Sequence, residues 1–267
     1  MTAQPTGTTA EPILLREVAD GVVTLTLNRP AARNALSMEL MTLLTEELED
    51  IGADPAIKVV VLAGAGPAFC AGHDLKEIRA NPGQEIYQAL FRQCSRLMLT
   101  ITRLRQPVIA RVHGIATAAG CQLVATCDLA IAADNTRFAT PGVNIGLFCS
   151  TPMVALSRAV GRKHAMEMLL TGDMIGGGDA VMFGLVNQIV PEADLDATVL
   201  GLATQIASKS PLTLAIGKEA FYRQLEMTLD DAYAYASDVM TRNMLARDAE
   251  EGIDAFLAKR PPVWEGR

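Results

Sequence analysis

The chain has 267 residues, of which 50% are hydrophobic, 20% charged and 4% aromatic, and its formal net charge is −7. Half of the chain is thus available to fill a core, which excludes a predominantly disordered protein, and the length fits one large domain or one with a smaller appendage. The acidic balance, with no long run of lysine or arginine, argues against a nucleic-acid-binding face and against an anionic membrane surface, because both need clustered positive charge.

The N-terminal part is predicted to begin with a β-hairpin and a helix. Residues 1–11 are rich in Thr, Ala and Pro and are expected to form a disordered tail. Apolar and polar residues then alternate over Gly21–Asn28, which predicts a strand, and Ile13–Val18 is its expected hairpin partner. Ser37 is a good N-cap for an amphipathic helix that runs to about Ile51.

The middle of the chain alternates between strand and helix patterns. Near-continuous apolar runs predict buried strands over Ile57–Ala63, Pro107–Val112 and Leu129–Ala133. Helices are predicted over Leu75–Arg79, about Glu85–Leu104 and Cys121–Thr126, with a small-residue loop over Gly114–Gly120. This order predicts an α/β layer architecture whose strands pair mostly in parallel.

Beyond about residue 150 the pattern becomes helical. Val186–Val190 is the one late strand that is predicted. Helical periodicity runs almost unbroken over Asp194–Lys259, with interruptions at Ser210–Pro211 and near Thr228. We therefore expect a sheet-containing core over 12–200 and a helical C-terminal region over 201–267. A soluble chain this rich in aliphatic residues is expected to bury surplus apolar surface between subunits, which predicts a homo-oligomer.

Several residue types limit where the protein is expected to be located and which kinds of site it is expected to contain. The longest charge-free stretch, Phe138–Ser157, contains prolines and glycines that would expose backbone in lipid, so we expect a buried loop or core segment there and no membrane span. The five cysteines form no CxxC pair, and residues 1–11 lack the features of a signal or transit peptide, which together predict a reducing, cytoplasmic environment. With three histidines and no close carboxylate pairing, no metal site is expected.

Two junctions share one physical design that suits oxyanion binding. At Ala71–Asp74 and at Ala118–Gly120, a buried strand is followed by small residues and then by the start of a helix. Helix N-termini carry unpaired N–H donors and a partial positive charge, so two that converge would bind a developing oxyanion. Two ordinary strand-to-helix loops would also use small residues, and the residues alone leave both interpretations open.

Ordered motifs continue along nearly the whole chain. They are Phe69–Glu77, Gln106–Ala110, Gly120–Leu123 and Cys127–Asp128, with Asn28–Pro30, Asn34–Leu36, Leu170–Gly172, Gly184–Val186, Lys259–Arg260 and Trp264. Together they resemble the crotonase (enoyl-CoA hydratase/isomerase) superfamily. The resemblance implies a crotonase-like spiral of ββα turns, a C-terminal helical region that packs between subunits, and a homotrimer or a dimer of trimers.

The resemblance also implies an acyl-CoA thioester whose carbonyl is held by two backbone N–H groups. Carried over residue by residue, these donors are His73 and Ala119. Ala119 stands where the family usually has glycine, and its N–H can still donate if its φ is negative. Coenzyme A is part of the substrate, and no separate cofactor is implied. The substrate and CoA contacts carried over are Ala31, Ala32, Arg33, Ala71, Asp74, Leu75, Lys76, Ala118 and Pro141.

The sequence departs from the family at the two glutamates that add water across C2 and C3. Those positions are Gln122 and Gly142, and neither residue can transfer a proton. Because each acid/base group contributes roughly 10²- to 10⁴-fold, standard hydration should be heavily impaired. Weak or altered hydratase chemistry, another enolate reaction such as isomerisation or decarboxylation, and a non-catalytic acyl-CoA-binding protein are the hypotheses that remain.

Four side chains have two possible roles each. The His73 imidazole either packs or takes part in catalysis, and Cys149 is either a buried thiol or a thiolate before a helix. Lys76 either meets a phosphate or is a solvated surface lysine, and Arg29 either contacts the ligand or forms a salt bridge at a strand end. His113, at a tight strand exit, is expected to be structural.

Overall fold

The computed structural model describes residues 11–267, and the first feature in this range is the predicted hairpin of β1 (Leu14–Ala19) and β2 (Val22–Leu27). The two strands are antiparallel, and Leu14 pairs with Leu27. Asp20 and Gly21 turn the chain with φ values of 51° and 78°, the left-handed conformation that tight hairpin turns require. The tail predicted over residues 1–11 lies, Glu11 apart, outside the described residues.

Residues 11–267 contain nine strands and eleven α-helices. After the hairpin the strands are β3 (Val59–Gly64), β4 (Val108–Val112), β5 (Ile115–Thr117), β6 (Leu129–Ala133), β7 (Arg137–Ala139), β8 (Ile175–Gly176) and β9 (Gln188–Val190). The helices are α1 (Met38–Ala53), α2 (Leu75–Ala80), α3 (Gln84–Arg103), α4 (Ala119–Thr126), α5 (Pro152–Ala159), α6 (Arg162–Thr171), α7 (Gly177–Phe183), α8 (Leu195–Ala207), α9 (Pro211–Gln224), α10 (Leu229–Met244) and α11 (Arg247–Leu257).

The main sheet has six strands in the order β1-β2-β3-β4-β6-β9. Every pair except β1–β2 is parallel, as the alternation of strands and helices predicts. All six residues of β3 are buried, because helices cover both faces of the sheet. The predicted α/β organisation and its three central buried strands are confirmed.

The helices that cover the two faces follow from the sequence pattern. Ser37 caps α1, since its Oγ accepts a hydrogen bond from Leu40 N, and the apolar stripe of α1 packs with α3 in the larger core. On the opposite face, Leu195 and Val199 of α8 pack with Val61 of β3 in a second buried cluster. The boundary predicted at residue 200 lies within α8, so the division of the chain there stays a prediction.

A second, three-stranded sheet corrects one sequence-based prediction. Gly114–Gly120 was predicted as a loop, but it contains β5, which pairs in parallel with β7, while β8 pairs antiparallel with β7. These strands have two or three residues each, too few for a periodic pattern. The prediction that Phe138–Ser157 is buried is also wrong in part, because residues 144–148 are exposed.

The C-terminal helices α9, α10 and α11 carry large apolar side chains on their surface. Leu245 is 83% exposed and Phe256 is 82% exposed. The breaks predicted before Pro211 and near Thr228 are both present, and a third break follows Met244. No helix in the described part of the chain is both long enough and apolar enough to span a bilayer.

Candidate active site

The first candidate loop follows β3 and ends where α2 begins. Its glycine, Gly72, has a φ of 99°. A Cβ built on Gly72 would lie 2.9 Å from Ala118 Cβ and 3.4 Å from Ala119 N. Only glycine combines this backbone conformation with so close an approach, so Gly72 brings the first loop against the second.

The second candidate loop connects β5 to α4. Ala118 has a φ of 50° and a ψ of −118°, a sparsely populated conformation for a residue with a side chain. Ala119 is the first residue of α4 and does not have a positive φ. The residue with a positive φ is therefore Ala118. Ala119 has a negative φ, as its N–H group requires in order to act as a donor at this position. A Cβ on Gly120 would collide with the carbonyl oxygen of Cys70, so this glycine also holds the loops together.

Among residues 11–267, the peptide N–H groups of Ala119 and His73 find no protein acceptor. Ala119 N opens a helix and therefore has no acceptor one turn earlier within it. His73 N donates to no other residue of the range 11–267, whereas the N–H of Asp74 next to it donates to Leu36 O at 3.0 Å. The structure thus brings together the loops of both predicted oxyanion donors and leaves their N–H groups available.

The predicted CoA-contact segment lies directly beside the first loop. Ala71 N donates to Arg33 O at 3.0 Å, and Leu36 N donates to Gly72 O at 2.7 Å. Ala71 also reaches the second loop, because its carbonyl accepts a bond of 3.1 Å from Thr117 Oγ1. The predicted contacts Ala31, Arg33, Leu75 and Lys76 are exposed, while Ala32, Ala71, Asp74, Ala118 and Pro141 are partly buried.

Asp74 and Arg29 hold this arrangement in place. Asp74 Oδ1 caps α2 by accepting from the N–H groups of Lys76 and Glu77, and Asp74 Oδ2 accepts from Arg29 Nη2 at 2.9 Å. Burial alone would raise the pKa of Asp74, but the hydrogen bonds from Arg29, Glu77 and Lys76 outweigh it and lower that pKa below its usual value. Of the two roles considered for Arg29, the structure shows the salt bridge.

Gln122 lies one helical turn after Ala119 and is only 4% exposed. Its Oε1 lies 3.7 Å from Cys94 Sγ, which donates to it from α3. Burial raises the pKa of Cys94 to about 12, so this thiol keeps its proton and remains a donor.

Gly142 lies in a 3₁₀ turn, Pro141–Ile145, and has no room for a side chain. A Cβ there would lie 2.5 Å from Leu147 O and 2.9 Å from Cys149 Sγ. Burial raises the pKa of Cys149, and a hydrogen bond from the backbone of Gly142 only partly opposes this. The structure therefore favours the buried thiol over the thiolate at Cys149.

The two histidines near the loops are both partly or fully buried. Burial lowers the pKa of His73 to about 4, so its imidazole is neutral at pH 7. Its Nε2 is buried without a partner within residues 11–267, and its ring meets Phe91 edge-on at 5.7 Å between centroids. His113 bonds to Gly66 O at 2.7 Å and to Arg111 at 2.9 Å, which fits the structural role expected for it.

Comparison with known proteins decides the family. The family model described as enoyl-CoA hydratase/isomerase matches residues 17–267. The chain belongs to this family. It is 46% identical over 253 residues to enoyl-CoA hydratase domain-containing protein 3, mitochondrial, of Xenopus laevis. The aligned region covers 95% of this chain and 86% of the relative.

Solved structures of the family confirm the fold. The crystal structure of an enoyl-CoA hydratase from Mycobacterium smegmatis is 54% identical, with a TM-score of 0.93 over 95% of this chain and 99% of that one. The human enoyl coenzyme A hydratase domain-containing protein 3 is 45% identical, with a TM-score of 0.92 over 95% of this chain and 100% of that one. The predicted crotonase fold and the predicted family are therefore confirmed.

Two residues that contact the candidate site, Cys94 and Phe91, could not be recognised from the sequence. Cys94 and Phe91 follow the helical apolar pattern of α3, which predicts ordinary core packing. Their contacts with Gln122 and His73 join segments that are 28 and 18 residues apart, and no local motif encodes them.

Proposed function

We propose that this protein binds an acyl-CoA thioester and polarises its carbonyl with the N–H groups of His73 and Ala119. The observation that carries the proposal is the close approach of Gly72 to Ala119 N, which brings two loops with unpartnered N–H groups together. Two such donors stabilise the negative charge that develops on a thioester oxygen when an enolate forms, and the loss of one typically costs about 10²- to 10³-fold in rate.

The CoA portion is proposed to lie along the segment at Ala31–Arg33 and the start of α2. Arg33 and Lys76 are exposed there, and neither forms an ion pair with a residue of the described range. Such local cations would let a chain with a net charge of −7 accept a polyanionic ligand. Coenzyme A enters as part of the substrate in this proposal, with no separate cofactor.

The proposed reaction is enolate chemistry in which standard hydration is weak. Gln122 can donate and accept hydrogen bonds but cannot take a proton, and Gly142 has no side chain. Isomerisation or decarboxylation of an acyl-CoA, and acyl-CoA binding without turnover, are the alternatives. We also propose that the protein forms a homotrimer or a dimer of trimers through α10 and α11. Its proposed location is cytoplasmic.

Ligand-induced stabilisation tests the proposal. We expect crotonyl-CoA and butyryl-CoA to raise the melting temperature saturably, since a ligand at 100 times its Kd stabilises a protein by about 2.7 kcal/mol. Butyrate without the CoA moiety is the matched control and should have no effect. The same samples are assayed for crotonyl-CoA hydration, which we expect to be far slower than in a glutamate-containing hydratase.

The outcomes separate the hypotheses. If no acyl-CoA stabilises the protein, the proposal is wrong. Stabilisation without turnover across a broad panel of thioesters would instead favour the non-catalytic binding protein.

A further inference from the structure

A cavity of about 270 Å³ lies at the opposite end of the main sheet from the candidate loops. Residues just before β3 and β4 line one part of it, and the start of α9 and residues 264–266 line the rest. The first candidate loop follows the other end of β3. Because the six residues of β3 span about 20 Å, this cavity is separate from the proposed acyl-CoA site.

Two cations line this cavity without a counterion. They are Lys58 and Arg105, and neither has a carboxylate within ion-pair distance in the described part of the chain. The one carboxylate in the lining belongs to Glu265 and is already paired, with Arg267 at 2.6 Å and Arg247 at 3.7 Å. In a chain whose net charge is −7, the cavity is thus a local positive region that attracts an anion.

Flat and apolar groups make up much of the remaining lining. Trp264 lines the cavity together with Pro107, Pro211 and Leu214. The indole ring is fixed in place, because its Nε1 donates to Ser208 O at 2.8 Å. The rings of tryptophan and proline offer flat surfaces against which an aromatic ring packs well. The cavity therefore combines a positively charged part with a flat apolar part.

The C-terminal segment that carries Trp264 is held by the buried carboxylate of Asp248. This side chain accepts hydrogen bonds from Glu265 N at 2.7 Å and from Gly266 N at 3.1 Å, and it also accepts one from Ser210 Oγ at the start of α9. The two elements that line this part of the cavity are thus tied to each other. A wall that is formed before the ligand arrives lowers the entropy cost of binding.

We propose that this cavity binds a small aromatic carboxylate, with the carboxylate group at Lys58 and Arg105 and the ring against Trp264. An arginine can hold a carboxylate by two parallel hydrogen bonds. The volume lies just below the range of about 300–1,000 Å³ that is usual for ligand pockets, so it suits a ligand with a single ring and is too small for a whole CoA ester. The site is additional to the proposed acyl-CoA site and does not depend on it.

The fluorescence of Trp264 gives a specific test, because it is the only tryptophan in the chain. At constant ionic strength, we expect benzoate to change this fluorescence saturably with a Kd of about 1 mM. Benzamide has the same shape without the charge and should bind at least about tenfold more weakly. Cyclohexanecarboxylate keeps the charge but is not flat, and it should bind about two- to tenfold more weakly.

Two arginine variants test where benzoate binds. Arg105→Met removes one of the two cations and should weaken benzoate binding at least about tenfold, because it removes hydrogen bonds between charged groups. Arg103→Met removes an exposed arginine at the end of α3 that does not line the cavity, and it should keep the wild-type Kd. Circular dichroism of each variant checks that it is folded.

The results also distinguish this inference from the proposed function. No saturable response to benzoate, or equal binding of benzamide, would overturn the inference, and equal binding of cyclohexanecarboxylate would overturn the aromatic class of ligand. An unchanged Kd in Arg105→Met, or displacement of benzoate by butyryl-CoA, would contradict it because benzoate would then bind elsewhere. Failure of butyryl-CoA to bind would count against the proposed function alone.

Discussion

Gly142 shows how one residue restricts the chemistry of the cleft. The usual expectation for a glycine in place of a glutamate is an empty volume, but the position of its Cβ is already taken by Leu147 O at 2.5 Å and Cys149 Sγ at 2.9 Å. The first of these atoms belongs to the backbone and cannot rotate away. Restoring a glutamate at this position therefore requires the exposed turn up to Leu147 to move. The single variant Gln122→Glu leaves this turn in place, whereas the double variant that adds Gly142→Glu displaces it.

Gly142→Ala is expected to destabilise the protein by about 1–3 kcal/mol, the usual cost of forcing an extra carbon into a packed site. The measurement is the free energy of unfolding in urea. Gly201→Ala is the matched control, since Gly201 lies in α8 with open space around its Cβ position. It should stabilise the protein by about 0.5–1 kcal/mol, because alanine is the better helix former. Equal effects of the two variants would contradict the steric argument.

At the scale of elements, a buried ion pair attaches α9 to the sheet core. Lys218 Nζ donates to Ile101 O and Gln106 O, each at 2.9 Å, and to Asp128 Oδ2 at 2.6 Å. Tyr222, one turn later, donates to Asp128 Oδ1 at 2.8 Å. Burial lowers the pKa of Lys218, although the carboxylate of Asp128 opposes the shift. The amine is thus satisfied by three oxygens that come from the end of α3 and the approaches to β4 and β6.

Lys218→Met is expected to cost about 3–5 kcal/mol in the free energy of unfolding, because it leaves the carboxylate of Asp128, whose side chain is only 16% exposed, without its counterion. Urea denaturation measures this loss. Lys209→Met, at an exposed position before α9, should change the free energy of unfolding by no more than about 0.5 kcal/mol. A loss below about 1 kcal/mol for Lys218→Met would mean that Asp128 finds water or another donor when Lys218 is removed.

Elements with strong local signals were predictable from sequence, and those defined by pairing were not. α1 has a cap at Ser37 and an apolar stripe, and its predicted start agrees with the structure. β7 and β8 have three and two residues and exist because they pair with each other and because β7 also pairs with β5, which a local pattern cannot reveal.

In the candidate site, too, some features were predictable from local sequence and others were not. His73 and Ala119 stand at recognisable strand-to-helix junctions, so their loops could be located from sequence. That Gly72 packs against Ala119 N, or that Cys94 donates to Gln122, depends on tertiary contacts between distant segments. The blocked space at Gly142 likewise depends on the path of the following turn.

At the scale of the whole molecule, only some of the hydrophobic residues, which make up 50% of the chain, are buried in the core of a single chain. Five large apolar side chains here are each at least 70% exposed: Leu229 and Tyr233 of α10, Leu245 directly after it, and Phe256 and Leu257 of α11. Apolar surface gathered on adjacent helices is typical of a subunit interface. It supports the proposed homotrimer or dimer of trimers.

Sedimentation-velocity centrifugation tests the proposed assembly. We expect the wild-type protein to sediment as a trimer or hexamer, and Leu245→Asp combined with Phe256→Asp to shift it towards the monomer, because two charges would be buried in the interface. Val18→Asp introduces a charge at an exposed apolar position on β1, far along the chain from these helices, and should leave the assembly intact. A monomeric wild-type protein would contradict the proposed oligomer.

The hydrogen bonds between the segment at Arg33–Leu36 and the loop at Ala71–Asp74 have a consequence for how a long ligand would be sensed. Three backbone bonds, from Ala71 to Arg33, from Leu36 to Gly72 and from Asp74 to Leu36, make the two stretches move as one body. A nucleotide held at one end would then restrain the peptide group of His73 at the other before any acyl chain arrives. Binding of the nucleotide, which is the same in every acyl-CoA, would thus meet part of the entropy cost of ordering the peptide group of His73. Acyl-CoA ligands with different acyl groups would all benefit from this ordering.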